Sequence, residues 1–255
     1  IGIDIGSTCA KTVVLNEKKE LILEFIQPTG WSSVDTAEEI RQKLELSGIN
    51  LSDDSSCCVA TGYGRISVPY ADKTVTEITC HALGAVHLFQ HPDLTVIDIG
   101  GQDTKIIQIE QGFVKDFIMN DKCAAGTGRF LEVMANTLSL RPNEMFDLAR
   151  LGSDTTISSM CTVFAESEVI GLIGKGEPKE NIAYAVVNST IRKVAAQVSR
   201  MNGEMSAFCL TGGLCECDYI REALSKELGK DVVSCPDARY AGAIGAALSA
   251  MKIRR

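Results

Sequence analysis

Two stretches of the chain carry the same pattern: residues 3–11 read IDIGSTCAK and residues 97–105 read IDIGGQDTK. Each copy has a strand-like start with an embedded aspartate, a glycine turn and a lysine. An apolar run follows, at 13–15 in the first copy and 106–109 in the second. A strand, a tight turn and a returning strand make a β-hairpin. Because the copies start 94 residues apart, we predict a duplicated α/β fold with a cleft between two similar halves.

Composition excludes several classes of protein. The chain has 255 residues, 45% of them apolar, and a formal net charge of −8. Nucleic-acid binders and proteins that bind anionic membranes need clustered Lys and Arg, so neither class is expected. The apolar runs fall short of the roughly 20 residues that a membrane helix needs. The chain opens directly on strand-like sequence, without a leader pattern. We therefore expect a cytoplasmic protein.

Hydrophobic periodicity predicts the elements of both halves. Strands are expected at 1–6, 10–16, 19–26, 56–61, 94–99, 104–110, 112–119 and 206–211. Helices are expected at 34–46, 77–90, 124–138, 164–174, 179–200, 216–228 and 240–251. The helix at 34–46 is expected to bury Val34, Ala37, Ile40 and Leu44. The helix at 124–138 is expected to bury Phe130, Leu131, Met134 and Leu138. We expect a first half at 1–91 and a second half at 92–239, with the C-terminal helix 240–255 packing back on the first.

The two glycine turns suit phosphate binding. Glycine lets the backbone approach closely, and successive N–H groups bind anionic oxygen. Asp4 and Asp98 are predicted to hold a hydrated Mg²⁺ at the strand ends, while Lys11 and Lys105 reach phosphate as point charges. The candidate ATP-binding residues are Gly6, Ser7, Thr8, Cys9, Ala10, Lys11, Gly100, Gly101, Gln102, Asp103 and Lys105, with Gly212 and Gly213 of a later Gly-Gly turn. The alternative is a pair of plain β-hairpins without a ligand.

Two of the ten cysteines precede predicted helices. Cys123 and Cys161 would be stabilised as thiolates there by free N–H groups and the helix dipole. Two thiolates are too few for a 4Fe-4S cluster, which normally takes four. A two-fold axis would supply four, because each subunit of a homodimer contributes two. On spacing alone, buried apolar cysteines remain the more common alternative.

The order of four motifs resembles a large ATPase superfamily. IGIDIGST (1–8), VIDIGGQDTK (96–105), LTGG (210–213) and YAGAIGAA (240–247) are similar to the phosphate-1, phosphate-2, adenosine and second connecting motifs of the actin, sugar kinase and heat-shock ATPases. The resemblance implies ribonuclease H-like halves with a nucleotide between them. It also places Glu77 where those ATPases carry a carboxylate near the attacking water. The alternative for Glu77 is a helix N-terminal charge, and His81 is expected to be structural.

A narrower resemblance covers nearly the whole chain. MNDKCAAGTGRFLEVMA (119–135) and CTVFAESE (161–168) look like signature segments of the 2-hydroxyacyl-CoA dehydratase activators, or archerases, a group that includes benzoyl-CoA reductase ATPase subunits. The resemblance implies an ATP-dependent one-electron donor of anaerobic metabolism. In that family, cysteines matching Cys123 and Cys161 bind one 4Fe-4S cluster per homodimer. The electron donor would be a ferredoxin or flavodoxin, and the acceptor a double-cluster dehydratase or reductase. Cys215 and Cys217 form a C-x-C that departs from the family pattern.

Three rival functions stay open on sequence alone. A small-molecule kinase of the same superfamily would transfer phosphate to a sugar or acid, although such kinases usually carry inserted substrate domains. A dimer held by zinc could use the same four thiolates. A chaperone-like or filament-forming ATPase would have no redox role. Phosphate release without an acceptor, protein colour and iron content separate the three.

Overall fold

A computed structural model describes residues 1–53, 56–159, 161–203 and 207–253. The strands are β1 (Gly2–Ile5), β2 (Cys9–Leu15), β3 (Leu21–Pro28), β4 (Val59–Thr61), β5 (Lys73–Thr74), β6 (Leu94–Ile99), β7 (Thr104–Glu110), β8 (Phe113–Asn120), β9 (Ala207–Gly212) and β10 (Val232–Val233). The helices are α1 (Ser33–Leu46), α2 (Glu77–Phe89), α3 (Gly128–Thr137), α4 (Pro142–Ala149), α5 (Thr162–Gly174), α6 (Lys179–Val198), α7 (Asp218–Leu228) and α8 (Ala241–Ala250). Short 3₁₀ helices lie at Arg65–Ser67 and Pro236–Tyr240.

The chain forms two compact units. One comprises Ile1–Leu94, Ile107–Lys115 and Asp237–Arg255, and the other Thr95–Ile106 and Asp116–Pro236. Strands pair in two five-stranded sheets, in the orders β3-β2-β1-β4-β5 and β10-β9-β6-β7-β8. In each sheet, two strands that are consecutive in sequence, β1 and β2 or β6 and β7, lie side by side near the centre.

The first sheet is built on the β1–β2 hairpin. β1 pairs antiparallel with β2, with Asp4 opposite Lys11, and parallel with β4. All four residues of β1 are buried, and its isoleucines pack with Ile40 and Leu44 of α1 in one apolar core. An amphipathic helix stabilises such a sheet by burying its apolar stripe on one face.

The other face of this sheet is covered by α8, which packs on α2 and β1. Helices α2 and α8 approach closely because a glycine of each helix lies against the backbone of the other. A Cβ at Gly84 would overlap the carbonyl oxygen of Ala241, and a Cβ at Gly245 would overlap that of Cys80. Any larger residue would force the two helices apart.

The second sheet has β6 buried along its whole length. β10 extends the sheet by pairing parallel with β9. Helix α6 contributes ten buried residues and contacts α3, α4, α5 and α7. The candidate cluster cysteines, Cys123 and Cys161, lie just before α3 and α5, which are two helices of this layer.

Most predicted elements are present within two or three residues of their expected bounds. The expected core residues Ala37, Ile40 and Leu44 are buried, but Val34 is 60% exposed. All four expected core residues of the helix near 124–138 are buried. That helix begins only at Gly128, because a turn occupies 124–127. Helix α4 was not predicted.

Two expected segment ends, three residues in all, fall outside the described residues. Position 206, the predicted start of a strand, lies outside the described residues, as do 254 and 255 of the predicted C-terminal helix. Within the described ranges, the helices are all too short or too polar to cross a bilayer.

Candidate functional site

The first candidate phosphate loop is a three-residue turn between β1 and β2. Gly6 N–H donates to the carbonyl of Cys9 at 3.1 Å, and its own carbonyl accepts from the hydroxyl of Thr29 at 2.7 Å. Ser7 and Thr8 are exposed at the tip. Their hydroxyl groups therefore face solvent, where an anionic ligand could meet them. Cys9 already belongs to β2.

Asp4 lies beneath this loop and is only 2% exposed. Its Oδ2 is 3.8 Å from the ammonium of Lys11. Its Oδ1 is buried without a hydrogen-bond partner among the described residues. Gly62 and Gly242 flank the carboxylate, and a Cβ at Gly242 would come within 2.7 Å of Oδ2. A buried carboxylate with a free oxygen is suited to a bound water or a hydrated cation.

Glu77 begins α2, and the hydroxyl of Thr76 caps that helix. The Oε1 of Glu77 is 3.8 Å from Nε2 of His81, which is buried one turn later. A Cβ at Gly242 would also lie 2.9 Å from the same His81 nitrogen. Asp4, His81 and Glu77 therefore form one polar cluster in the first compact unit, with Gly242 between Asp4 and His81.

The second candidate phosphate loop repeats this geometry in the other unit. Gly100 N–H donates to the carbonyl of Asp103 at 2.9 Å. Lys105 is 1% exposed, and its Nζ lies 2.8 Å from Asp103 Oδ2 and 3.4 Å from Asp98 Oδ2. The ammonium is thus buried between two carboxylates. Its predicted contact with phosphate stays a prediction.

The Gly-Gly turn after β9 packs on the end of β6. Gly213 N–H donates to the carbonyl of Ile99 at 3.2 Å. Gly212 has a φ of +85°, and a Cβ there would lie 2.5 Å from that same oxygen. Only glycine fits a position that combines positive φ with such close approach. The turn thereby places Thr211, whose hydroxyl donates to Asp98 Oδ1 at 2.8 Å.

Sequence reasoning missed three residues of these clusters: Thr211, Gly62 and Gly242. Thr211 sits in LTGG and Gly242 in YAGAIGAA, and both motifs were recognised, but neither residue was assigned as a neighbour of the aspartates. A glycine beside a buried carboxylate leaves no periodic signal, so the pattern did not show that Gly62 and Gly242 both lie against Asp4.

Cys123 is half-buried in a turn that precedes α3. The side-chain amide of Asn120 donates to the carbonyls of Cys123 and Ala125, at 2.8 and 3.2 Å. The expectation of free helix N–H groups facing this thiol is wrong for the first two residues of α3. Gly128 N–H donates to Gly100 O at 2.9 Å, and Arg129 N–H donates to Gly101 O at 2.8 Å.

Cys161 is exposed and is the N-cap residue of α5, which begins two residues before the helix expected at 164–174. The segment just before it is fixed by Glu168, whose carboxylate accepts from Ser158 N–H at 3.0 Å and Ser159 N–H at 3.1 Å. Partial burial alone would raise the pKa of Glu168, but these hydrogen bonds together outweigh burial and lower it. The charged carboxylate therefore anchors the segment that leads to Cys161.

The segments carrying the two thiols meet at one cavity of about 160 Å³. Ala125 and Gly126 line it from one segment, Ser158 and Ser159 from the other, and Lys193 from α6. The segments next to the two predicted ligands therefore meet in the second unit, but neither Cys123 nor Cys161 is among the residues that line the cavity.

Four of the eight remaining cysteines are buried and four are partly exposed. Burial raises the pKa of Cys80 to about 12, and it also raises the pKa of Cys209 and Cys217. Cys215 is 3% exposed. Over the described part of the chain, no three His, Cys, Asp or Glu side chains are grouped as metal ligands would be.

This chain is similar in sequence to known ATPases and dehydratase activators. The sequence profile of the BadF/BadG/BcrA/BcrD ATPase family matches residues 1–250. The chain is 43% identical over 257 residues to the (R)-2-hydroxyglutaryl-CoA dehydratase activating ATPase of Acidaminococcus fermentans, covering 99% of this chain and 96% of the relative. It is 40% identical over 252 residues to the activator of lactoyl-CoA dehydratase of Anaerotignum propionicum, covering 98% and 96%.

Solved structures agree with the sequence comparison. The activator of 2-hydroxyisocaproyl-CoA dehydratase from Clostridium difficile, with bound ADPNP, superposes with a TM-score of 0.88 at 34% identity, covering 98% of this chain and 93% of the other. A ROK family glucokinase from Streptomyces griseus reaches a TM-score of 0.61 at 16% identity, which concerns the fold alone. The predicted fold class of duplicated actin-like ATPase domains is confirmed, and the chain belongs to the BadF/BadG/BcrA/BcrD ATPase family.

Proposed function

We propose that this protein is an ATP-dependent one-electron donor that activates a 2-hydroxyacyl-CoA dehydratase or a related double-cluster reductase. The observation that carries the proposal is the convergence of the Cys123 and Cys161 segments on one cavity, in a chain similar over its whole length to dehydratase activators. A ferredoxin or flavodoxin would supply the electron.

The donor set fits a shared 4Fe-4S cluster. Cys123 is half-buried and Cys161 is exposed, so both thiols remain reachable from the surface. Small residues, Ala124 to Gly126, surround the first thiol and leave room for a bulky inorganic group. When bound, such a cluster supplies a one-electron redox centre. Two thiolates from each of two copies would complete its ligands.

An apolar face beside Cys161 supports a homodimer. Helix α5 buries Ala165 and Val169 but leaves Val163, Phe164, Ile170 and Ile173 between 46% and 68% exposed. Exposed apolar side chains grouped on one helix mark a contact surface. We propose that a second copy of the chain covers it, because the adjacent Cys161 needs that copy to complete a four-thiolate site.

The two phosphate loops are proposed to take up the phosphate oxygens of ATP. Asp4 and Asp98 would hold a hydrated Mg²⁺, and the unpartnered Oδ1 of Asp4 fits a metal-bound water. Glu77 would orient the attacking water, with its carboxylate steadied by His81 at 3.8 Å. If ATP and ADP bind the oxidised and reduced forms of the cluster with different affinities, the bound nucleotide shifts the cluster's reduction potential. For one electron, the shift is about 59 mV for each tenfold change in that affinity ratio.

Iron and sulfide analysis after anaerobic purification tests the proposal. We expect about four irons per dimer, lost in both Cys123→Ser and Cys161→Ser. Cys217→Ser is the matched control, because Cys217 is also the N-cap of a helix and should leave the iron content unchanged. Colourless, iron-free wild-type protein would refute the proposal, and zinc in place of iron would favour a structural dimer.

Sedimentation tests the dimer separately. Ile170→Glu is expected to produce monomers, since it places a charge in the proposed contact while altering a side chain that is 57% exposed. Val34→Glu introduces the same charge at an exposed β-branched apolar residue of another helix, α1, and should leave the dimer intact. A dimer that persists in Ile170→Glu contradicts the proposed interface.

A further inference from the structure

The second phosphate loop, residues 100–103, is hydrogen-bonded to the start of α3, directly after the cysteine loop, residues 123–127, although 19 residues lie between the two loops in sequence. Both loops lie in the same compact unit. The contact is direct: Gly100 O and Gly101 O accept the N–H groups of Gly128 and Arg129, at 2.9 and 2.8 Å. The first turn of α3 is therefore fixed to the loop that is proposed to bind phosphate.

A third hydrogen bond joins the same two segments through a side chain. The hydroxyl of Thr104 donates to the carbonyl of Gly126 at 2.7 Å, in a buried position. Thr104 is 0% exposed, so water cannot replace the bond if the hydroxyl is removed. Thr104 is also the first residue of β7 and directly follows the loop in sequence, so a displacement of the loop would carry it along.

The surroundings of Gly126 leave the backbone of the cysteine loop little freedom to adjust to a displacement of Thr104. Its φ is +87°, and a Cβ there would lie 2.9 Å from Cγ of Lys193. The neighbouring carbonyls are also taken: Asn120 holds those of Cys123 and Ala125. A shift of Thr104 would therefore be transmitted to the backbone three residues after Cys123.

We propose that Thr104 is a positioning residue that couples the bound nucleotide to Cys123. The inference rests on the proposed function, since it assumes phosphate at 100–103 and a metal centre at the thiols. Asp103 and Lys105, its neighbours, pair with each other and can respond to phosphate. Thr104 lies between them and passes the displacement to the cysteine loop through one hydrogen bond.

Iron release to a chelator, measured on the anaerobically purified holoprotein with ATP and with ADP, tests the coupling. In the wild type, the ratio of the two release rates is expected to differ from one. In Thr104→Val, the factor by which the two release rates differ should shrink by roughly fivefold, because one hydrogen bond is lost. Thr104→Ser keeps the hydroxyl and should retain the wild-type ratio.

Thr95→Val is the matched control. Thr95 is also 0% exposed and lies in the adjacent strand β6, but its hydroxyl has no hydrogen-bond partner among the described residues. This variant should keep the wild-type ratio. An unchanged ratio in Thr104→Val overturns the coupling while leaving the proposed function intact, whereas wild-type protein without iron refutes the proposed function itself.

Hydrogen exchange of the wild-type holoprotein tests the coupling without any variant. The amides of Gly128 and Arg129 donate to the phosphate loop, so their exchange rates are expected to differ between the ATP and ADP states. Equal exchange at both amides in a protein that binds iron and both nucleotides would overturn the proposal, even if Thr104→Val failed to fold.

Discussion

Replacing Lys105 with methionine should strongly destabilise the second unit. The lysine is 1% exposed and Asp98 is 2% exposed, with their charged atoms 3.4 Å apart. Asp103 also contacts the ammonium at 2.8 Å, but its side chain is 27% exposed and can be solvated. Removal of the ammonium therefore leaves one carboxylate, Asp98, buried without its cation.

Breaking a buried ion pair from one side costs about 3–5 kcal/mol, because the remaining charge stays desolvated. For a chain of this size, about 1 kcal/mol corresponds to roughly 2–4 °C in Tm. We thus expect Lys105→Met to lower Tm by about 6–20 °C. Most of that loss should return in the double variant Lys105→Met/Asp98→Asn, in which the buried charge is also removed.

Differential scanning calorimetry on the three proteins measures these shifts. Lys115→Met is the control, because the Lys115 ammonium lies 2.7 Å from Glu110 but the lysine side chain is 47% exposed. Such a surface pair is worth about 0–1 kcal/mol. The reasoning is refuted if Lys105→Met costs no more than Lys115→Met, or if Asp98→Asn restores nothing.

Three further outcomes follow from local geometry. Gly62→Ala should destabilise the protein more than Gly48→Ala by urea unfolding, since both have positive φ but only Gly62 faces a carboxylate and backbone. Glu168 has a lowered pKa, so its stabilisation is complete above its unfolded value of about 4.3 and is lost as pH falls through the folded pKa. Proteolysis of the segment before α5 should therefore rise on acidification in the wild type, and Glu168→Gln should abolish the pH dependence. Finally, alkylation mapped by mass spectrometry at pH 8 should label Cys161 and spare Cys80 in the native iron-free protein, because a thiol with a pKa of about 12 is almost entirely protonated. Labelling of Cys80 at the rate of Cys161 would contradict that assignment.

Much of the architecture is visible in the sequence because it depends on local patterns. The duplicated IDIG hairpins form with equivalent turns, Gly6 N–H to Cys9 O and Gly100 N–H to Asp103 O. The period of apolar residues also located α1, α2 and the buried face of α3. Helix α4 was missed because it is only eight residues long, which is too short for a periodic signal.

The start of α3 shows where local patterns mislead. Residues 124–127 contain small residues that a helix accepts, yet Thr127 N–H and its hydroxyl both donate to Ala124 O. The resulting turn leaves the first N–H groups of α3 to the phosphate loop. This pairing of the helix N–H groups depends on a loop more than 20 residues away in sequence, so a pattern of neighbouring residues cannot reveal it.

The sequence by itself determined the repeated hairpin, the fold class, the family and the candidate thiols, because each is written in contiguous residues. Tertiary structure decided which groups meet: Gly242 beside Asp4, Lys105 between two carboxylates, and the hydroxyl of Thr104 against Gly126. The physical reason is that burial, ion pairing and hydrogen bonding depend on distances through space. A folded chain sets those distances with segments far apart in sequence.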